Sequence, residues 1–317
     1  MENGFRHTAI VGAGLVGCGW AVTFALAGST VTLYDERAEA RQNLPERLRG
    51  MLDDLEKAGL ANHTAEAFSR MRVCETLAQA LDGADYVQES VFERVEVKAT
   101  VSKDIGALIG PQTIVGSSSS GIPASAFTQE VPKRERFLIA HPVNPPHLAP
   151  VVELVPAPWT APDVVLTVRH ALAAMGKVPV EVRREIEGFI LNRLQGALLN
   201  EAWALYEEGY ASIEDIDATV SHGLGLRWAF MGPFETIDLN APGGVADYAE
   251  RLAPLYHSIA LSRTEPRGWS ADLIRRVTEE RRQSLPLEKI PERSAWRDRR
   301  LAALVAHLRA QDRADRN

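Results

Sequence analysis

His141 and Glu153 are the two side chains whose types and spacing point most directly to chemistry. The stretch Arg136–Pro156 reads RFLIAHPVNPPHLAPVVELVP. An apolar segment, Phe137–Ala140, runs straight into His141. A Pro/Asn loop follows, and a second apolar segment holds Glu153. Two titratable groups therefore stand at the edges of two β-like segments joined by a stiff loop. A histidine oriented by a carboxylate is a standard general base near neutral pH. The same pattern also fits a core strand with a solvent-facing histidine and a surface glutamate, so the rest of the chain has to decide. His147, within the loop, reads as a loop side chain with no role.

The elements that would position such a base begin at the N-terminus. His7–Val11 is short and apolar, as expected for a buried parallel strand. The run Gly12-Ala13-Gly14-Leu15-Val16-Gly17 follows at once, then a helix-like stretch to Ala27, which Gly28 ends. Thr30–Tyr34 is a second strand with Asp35 at its end. A lone GxGxxG is weak evidence, but strand, turn, helix, strand and acid in this order describe a dinucleotide site. Gly12 permits the tight turn, Gly14 lets the backbone approach a pyrophosphate, and Gly17 allows close helix–strand packing. The helix start offers free N–H groups to phosphates. Asp35 can accept hydrogen bonds from a ribose hydroxyl. It would repel a 2′-phosphate, as Glu36 would, so NAD is favoured over NADP. Arg37, which could meet that phosphate, argues the other way.

Further strand and helix patterns alternate as far as Val182. Ala38–Gly59 reads as a helix that Pro45 either interrupts or starts. Strands are expected at Arg72–Cys74, Ala84–Gln88, Thr113–Gly116, Phe137–Ala140, Val151–Val155 and Val178–Val182. Glu89, Glu93 and Glu96 are spaced like one solvated helix face, although Glu89 could also approach a ribose or nicotinamide. The strand Thr113–Gly116 opens into Ser117-Ser118-Ser119-Ser120-Gly121. Ligands gather at that edge of an open α/β sheet. The serines could bond a substrate oxygen, or cap the next helix. After Glu187 the pattern turns helical. Phe189–Glu208 is apolar on most faces, as in a helix buried between domains or subunits, with Asn192 near its start. Ser212–Asp215 opens another helix. Gly223–Gly232 carries Arg227 and Trp228, and the charged tail from Arg275 reads as helical and solvent-facing. The fold class is α/β: a Rossmann-like N-terminal domain with a mainly parallel sheet, residues 1–187, then an all-α C-terminal domain, residues 188–317.

Bulk properties narrow the function. The chain has 317 residues and a formal charge of −7. That charge disfavours nucleic acid, which needs a basic face. Cys18 and Cys74 form neither a CxxC nor a zinc spacing, and no metal site is expected. The chain reaches a strand by His7 with no signal-peptide pattern. No apolar run approaches the roughly 20 residues of a membrane span. A cytoplasmic protein that engages no membrane is the expectation.

Longer motifs then converge. IVGAGLVG, LYDERAEA, QESVFER, the serine run before GIPAS, IAHPVNPPHLAPVVELVP, GFILNRLQ, NEAW, LYEEG, GLGLRWAFMGPFETIDLN and AWRD span nearly the whole chain. In them the sequence resembles the 3-hydroxyacyl-CoA dehydrogenase superfamily, nearest its lambda-crystallin / L-gulonate 3-dehydrogenase group. The resemblance implies a catalytic His–Glu pair at His141 and Glu153, with Ser120 and Asn192 completing the site. It implies a homodimer formed through the helical domain. The cofactor-contacting set is Gly12, Gly14, Leu15, Val16, Gly17 and Asp35, with Glu93 and Lys98.

The implied reaction is NAD-dependent oxidation of a secondary hydroxyl, with His141 as base and Glu153 orienting it. Ser120 and Asn192 would bond the reacting oxygen. The loop before GPFE holds Arg227, whose guanidinium can take a carboxylate through two parallel hydrogen bonds; a surface or inter-subunit ion pair is the other use for it. L-Gulonate is the leading substrate. L-Carnitine is second, with Trp228, Phe230 or Trp20 able to face a quaternary ammonium. A 3-hydroxyacyl-CoA is third. A catalytically idle, crystallin-like NAD-binding protein is the alternative from another class.

Overall fold

The computed structural model describes residues 4–263, 265 and 267–314. One eight-stranded sheet organises the first part of the chain. Its strands are β1 (His7–Val11), β2 (Thr30–Tyr34), β3 (Met71–Val73), β4 (Tyr86–Glu89), β5 (Ile114–Ser117), β6 (Phe137–Pro142), β7 (Val151–Pro156) and β8 (Val178–Glu181). They lie in the order β3-β2-β1-β4-β5-β6-β7-β8. Every neighbouring pair is parallel except β6 and β7. All eight strands lie where the apolar runs predict them.

Alternation along each strand feeds two layers. Ile10, Leu33, Tyr86 and Leu154 face the helices Leu15–Leu26, Ala38–Lys57 and Pro162–Ala174, around Trp20 and Phe24. Ala9, Val11, Val87 and Val115 face the helix Val95–Leu108 through Ile105. A parallel sheet covered on both faces follows from strands that are apolar on both faces. Each large side chain buried this way contributes roughly 1.5–3 kcal/mol.

Pro45 lies inside the helix Ala38–Lys57 and does not end it. An interior proline costs about 3 kcal/mol. Leu44, Leu48, Leu52 and Leu55, all buried on one face, outweigh that cost.

The chain divides into two compact units. One comprises the chain to Leu194 together with the chain from Ser294; the other is Gln195–Arg293. This differs from a single division after Glu187. The last helix, Ile290–Ala314, is not wholly solvent-facing: Ala302 is buried in the main core cluster and Leu301 packs against it. Small and apolar residues among many charges hid that stripe.

The second unit is helical, with Ile213–Thr219, Gly225–Trp228, Pro233–Asp238, Gly244–Leu261 and Ala271–Ser284. Ser212 caps the first of these by accepting from the Asp215 N–H at 3.1 Å. Trp203 stacks on Trp269 with centroids 4.2 Å apart. Arg263 joins Glu201 and Glu208, each at 2.9 Å. The apolar helix expected at Phe189–Glu208 runs Leu191–Glu207, and none of its residues is buried within the chain. Among the described residues, no helix is long and apolar enough to cross a membrane.

Candidate active site

His141 and Glu153 face each other across the only antiparallel pair of the sheet, in direct register. Cross-strand partners project to the same face. His141 Nδ1 lies 2.8 Å from Glu153 Oε2, and both residues are buried. The other carboxylate oxygen, Oε1, accepts the Ile190 and Leu191 N–H groups at 2.8 and 2.9 Å. These belong to the start of the helix Leu191–Glu207. The chain reaches them through two left-handed residues, Gly188 at φ 74° and Phe189 at φ 50°. A non-glycine residue in that region costs roughly 1–3 kcal/mol and needs compensation. Phe189 is fully buried, 5.9 Å from the His141 ring. Burial works against the Glu153 charge, but hydrogen bonds from His141, Leu191 and Ile190 hold its carboxyl below the ordinary glutamate range. An ionised carboxylate only accepts, so Nδ1 carries the proton and Nε2 presents its lone pair.

The serine run is held by Glu93. Its Oε1 accepts from Ser119 Oγ at 2.8 Å, Ser120 N at 2.7 Å, Ser120 Oγ at 3.2 Å and Gly121 N at 3.1 Å. Burial opposes its charge, yet Lys98 and these donors keep the Glu93 carboxyl low. The Asn192 side-chain amide donates to the Ser120 carbonyl. Asn192 directly follows Leu191, so one helix start fastens both the Glu153 carboxylate and the end of the serine run.

The acidic trio does not form one solvated helix face. Glu89 ends β4 and is buried, Glu93 lies in the following loop, and only Glu96 is in a helix, in its first turn. Lys98, 1% exposed, places its ammonium 3.1 Å from both Glu89 carboxylate oxygens and 3.4 Å from Glu93. Glu89 also accepts from Ser117 Oγ and from the Val91 N–H. Charge buried this completely survives only where it is paired. The clue in the sequence was the apolar Tyr86-Val87 just ahead of Gln88 and Glu89, a strand signature that the i, i+4 spacing of Glu89 and Glu93 obscured.

At the neighbouring strand end, Gly12 has φ 91° and donates to the Tyr34 carbonyl at 2.8 Å. A Cβ on Gly12 would lie 2.6 Å from Ser90 backbone atoms, and one on Gly17 would lie 2.0 Å from the Gly12 carbonyl oxygen. A Cβ on Gly14 would meet nothing within 4 Å. Leu15 is 70% exposed, and no side chain caps this helix. Asp35 accepts from Ala13 N at 3.0 Å and from Arg37 N and Nε at 3.1 and 3.2 Å. Burial opposes its charge, but the Ala13 and Arg37 hydrogen bonds keep its carboxyl below the usual aspartate range.

The sequence pattern of the 3-hydroxyacyl-CoA dehydrogenase NAD binding domain matches residues 7–186, and that of its C-terminal domain matches residues 188–279. The chain belongs to the 3-hydroxyacyl-CoA dehydrogenase family. Within it, the chain is 37% identical over 297 residues to a lambda-crystallin homolog of Rattus norvegicus, covering 91% of this chain and 92% of the relative. It is also 37% identical over 250 residues to an L-carnitine dehydrogenase of Streptomyces griseus, covering 78% and 74%. A crystal structure of 5-formyl-3-hydroxy-2-methylpyridine 4-carboxylic acid 5-dehydrogenase, an NAD+ dependent dismutase, superposes with a TM-score of 0.81 at 30% identity, covering 97% of this chain and 98% of that one.

As a member of the 3-hydroxyacyl-CoA dehydrogenase family, the protein is an NAD-dependent oxidoreductase acting on CH–OH groups. Its residues fit that cofactor. No protein atom explains glycine at Gly14, whereas the close approach of a ligand backbone would. The uncapped helix start suits phosphate. Arg37 is turned onto Asp35, which leaves a carboxylate rather than a free guanidinium at the end of β2.

Three features of this family member were not read from its sequence: the buried Glu89–Lys98 pair, the left-handed Phe189, and the polar cluster beneath the serine run. In that cluster Ser118 Oγ meets Gln88 at 2.8 Å, Ser90 at 2.8 Å and the Trp20 indole at 3.2 Å. Trp20 is fully buried, which removes it as a cation-facing aromatic. Arg227 belongs to the second unit, in the short helix Gly225–Trp228 after a π-helical turn at Val220–Leu224. It is exposed and forms no ion pair with any described carboxylate.

Proposed function

We propose that the protein oxidises the 3-hydroxyl of a small free 3-hydroxy acid, with L-gulonate going to 3-dehydro-L-gulonate as the leading reaction. The His141–Glu153 pair carries this reading. Glu153 fixes Nδ1–H, so Nε2 is the atom that accepts the hydroxyl proton, and the carboxylate stabilises the imidazolium formed. The second Asn192 amide hydrogen bonds the reacting oxygen, and the Ser120 hydroxyl bonds it by turning from Glu93 Oε1, its acceptor at 3.2 Å. NAD, when bound, supplies the hydride acceptor. Gly12, Gly14, Leu15, Val16 and Gly17 receive its pyrophosphate, and Asp35 its adenosine ribose. Glu93 borders the cofactor site and holds Ser120 in place; Lys98 supports Glu93 from beneath.

Arg227 binds the substrate carboxylate in this reading. Its lack of a carboxylate partner among the described residues supports that role, and two of the relatives are named for acids rather than thioesters. L-Carnitine is the second reading, favoured by Trp228 and Phe230, exposed aromatics beside Arg227 that suit a quaternary ammonium. NAD reduction with L-gulonate, L-carnitine and 3-hydroxybutyryl-CoA tests the choice. L-Gulonate should give the highest kcat/KM; a preference for the thioester would overturn the free-acid reading. In Arg227→Met the KM for the acid should rise at least tenfold, and an unchanged KM would remove the arginine from the site.

The enzyme acts as a homodimer through its helical part. Among the described residues of the second unit, Leu273 is the only buried hydrophobic, while Phe234 is 80% exposed and Phe230 66%. We place it in the cytoplasm, where its two buried cysteines, Cys18 and Cys74, remain free thiols.

A further inference from the structure

One cleft of the first unit lies away from the residues assigned to catalysis. It has a volume of about 1020 Å³, which matches the upper range of roughly 300–1,000 Å³ for small-ligand sites. Its lining includes Arg6, His147, Lys177 and Arg309 and, among the described residues, no aspartate or glutamate. Apolar residues such as Leu26 and Leu60 line it as well. Neither Arg6 nor Arg309 has an ion-pair partner among the described residues, whereas Arg275, Arg276 and Arg297 of the last two helices pair with nearby carboxylates. His147 Nδ1 is buried without a hydrogen-bond partner.

The cationic groups bear on one another. Burial, together with the nearby Arg309 charge, lowers the Lys177 ammonium to about 8. Burial and the Lys177 charge lower His147 to about 4, against weaker opposing effects of Asp298 and Asp54. Like charges gathered in a cleft without a lining carboxylate leave a positive potential that an anion would relieve.

We propose that this cleft binds an organic phosphate. The phosphate would lie among Arg6, Lys177 and Arg309, and the organic part against the apolar lining. Two guanidinium groups and an ammonium approaching from separate residues suit a dianion with several oxygens. The cleft also adjoins the catalytic frame. Lys177 donates to the Pro146 carbonyl, and to that of Ala149 at 3.3 Å, in the loop that joins His141 to Glu153. The same loop rests on the helix after the glycine turn: a Cβ on Gly19 would lie 2.8 Å from Pro146. An occupant therefore touches the loop that sets the His141–Glu153 geometry.

Calorimetric titration of AMP into enzyme saturated with NAD tests the site, because the nucleotide site is then filled. AMP should bind saturably, and adenosine should not. Arg309→Glu and the double variant Arg6→Ala/Arg309→Ala should weaken AMP at least tenfold, with turnover in the absence of AMP unchanged. Three results would overturn the proposal: no saturable binding, equal binding of adenosine, or undiminished affinity in both variants.

Discussion

Two histidines, His141 in β6 and His147 in the loop that follows it, have opposite surroundings. His141 has an ionised partner, and each oxygen of that partner is satisfied. Hydrogen bonds to a charged group are worth about 1.5–3 kcal/mol each, enough to offset a left-handed Phe189. His147 has no partner at Nδ1 and is lowered from 6.5 to about 4 by burial and Lys177. As pH falls below about 6.5, the unfolded chain takes up a proton that the native chain refuses until about pH 4. Stability should therefore drop across that window, by up to about 3 kcal/mol. Urea denaturation between pH 7 and pH 4.5 should show a shallower loss for His147→Gln than for the wild type. Equal slopes would mean that the native state accommodates the charge. The functional promise of His141 was legible because an apolar strand led into it. The environment of His147 was not, because its neighbours come from distant segments.

The glycine turn and its helix separate folding from binding at neighbouring positions. A Cβ on Gly17 collides with the Gly12 carbonyl oxygen, while one on Gly14 enters open space. Gly17→Ala should lower Tm by several degrees, since overpacking costs roughly 1–3 kcal/mol. Gly14→Ala should melt like the wild type yet lose at least tenfold in NAD affinity by fluorescence titration. Normal NAD affinity in Gly14→Ala would contradict the assigned pyrophosphate path. All eight strands and the turn were readable because local apolar runs and glycine spacing encode them. Pro45 misled as a helix boundary, because four leucines on one face outvote a local preference. Glu89 misled because its i, i+4 relation to Glu93 imitates a helix, whereas its partner Lys98 lies on the next element.

For the molecule as a whole, the sheet brings the β1, β4, β5 and β6 ends to one edge, and the helix start at Leu191 locks Glu153 and the serine run there. The first unit has an extensive core, and the second buries little of its apolar surface within the chain. Sedimentation equilibrium at micromolar concentration should give twice the mass of one 34.8 kDa chain. A stable monomer would refute the dimer. The tail helix was misread as solvent-facing because Leu301 and Ala302 interrupt an otherwise charged sequence, and the cluster they join is distant along the chain. The central claim is that His141 acts as the base. Its most direct test is steady-state oxidation of the best 3-hydroxy acid by His141→Asn, with NAD affinity measured in parallel. Loss of the base should cut kcat by about 10²–10⁴-fold and leave NAD binding within about twofold. Turnover near that of the wild type would contradict it.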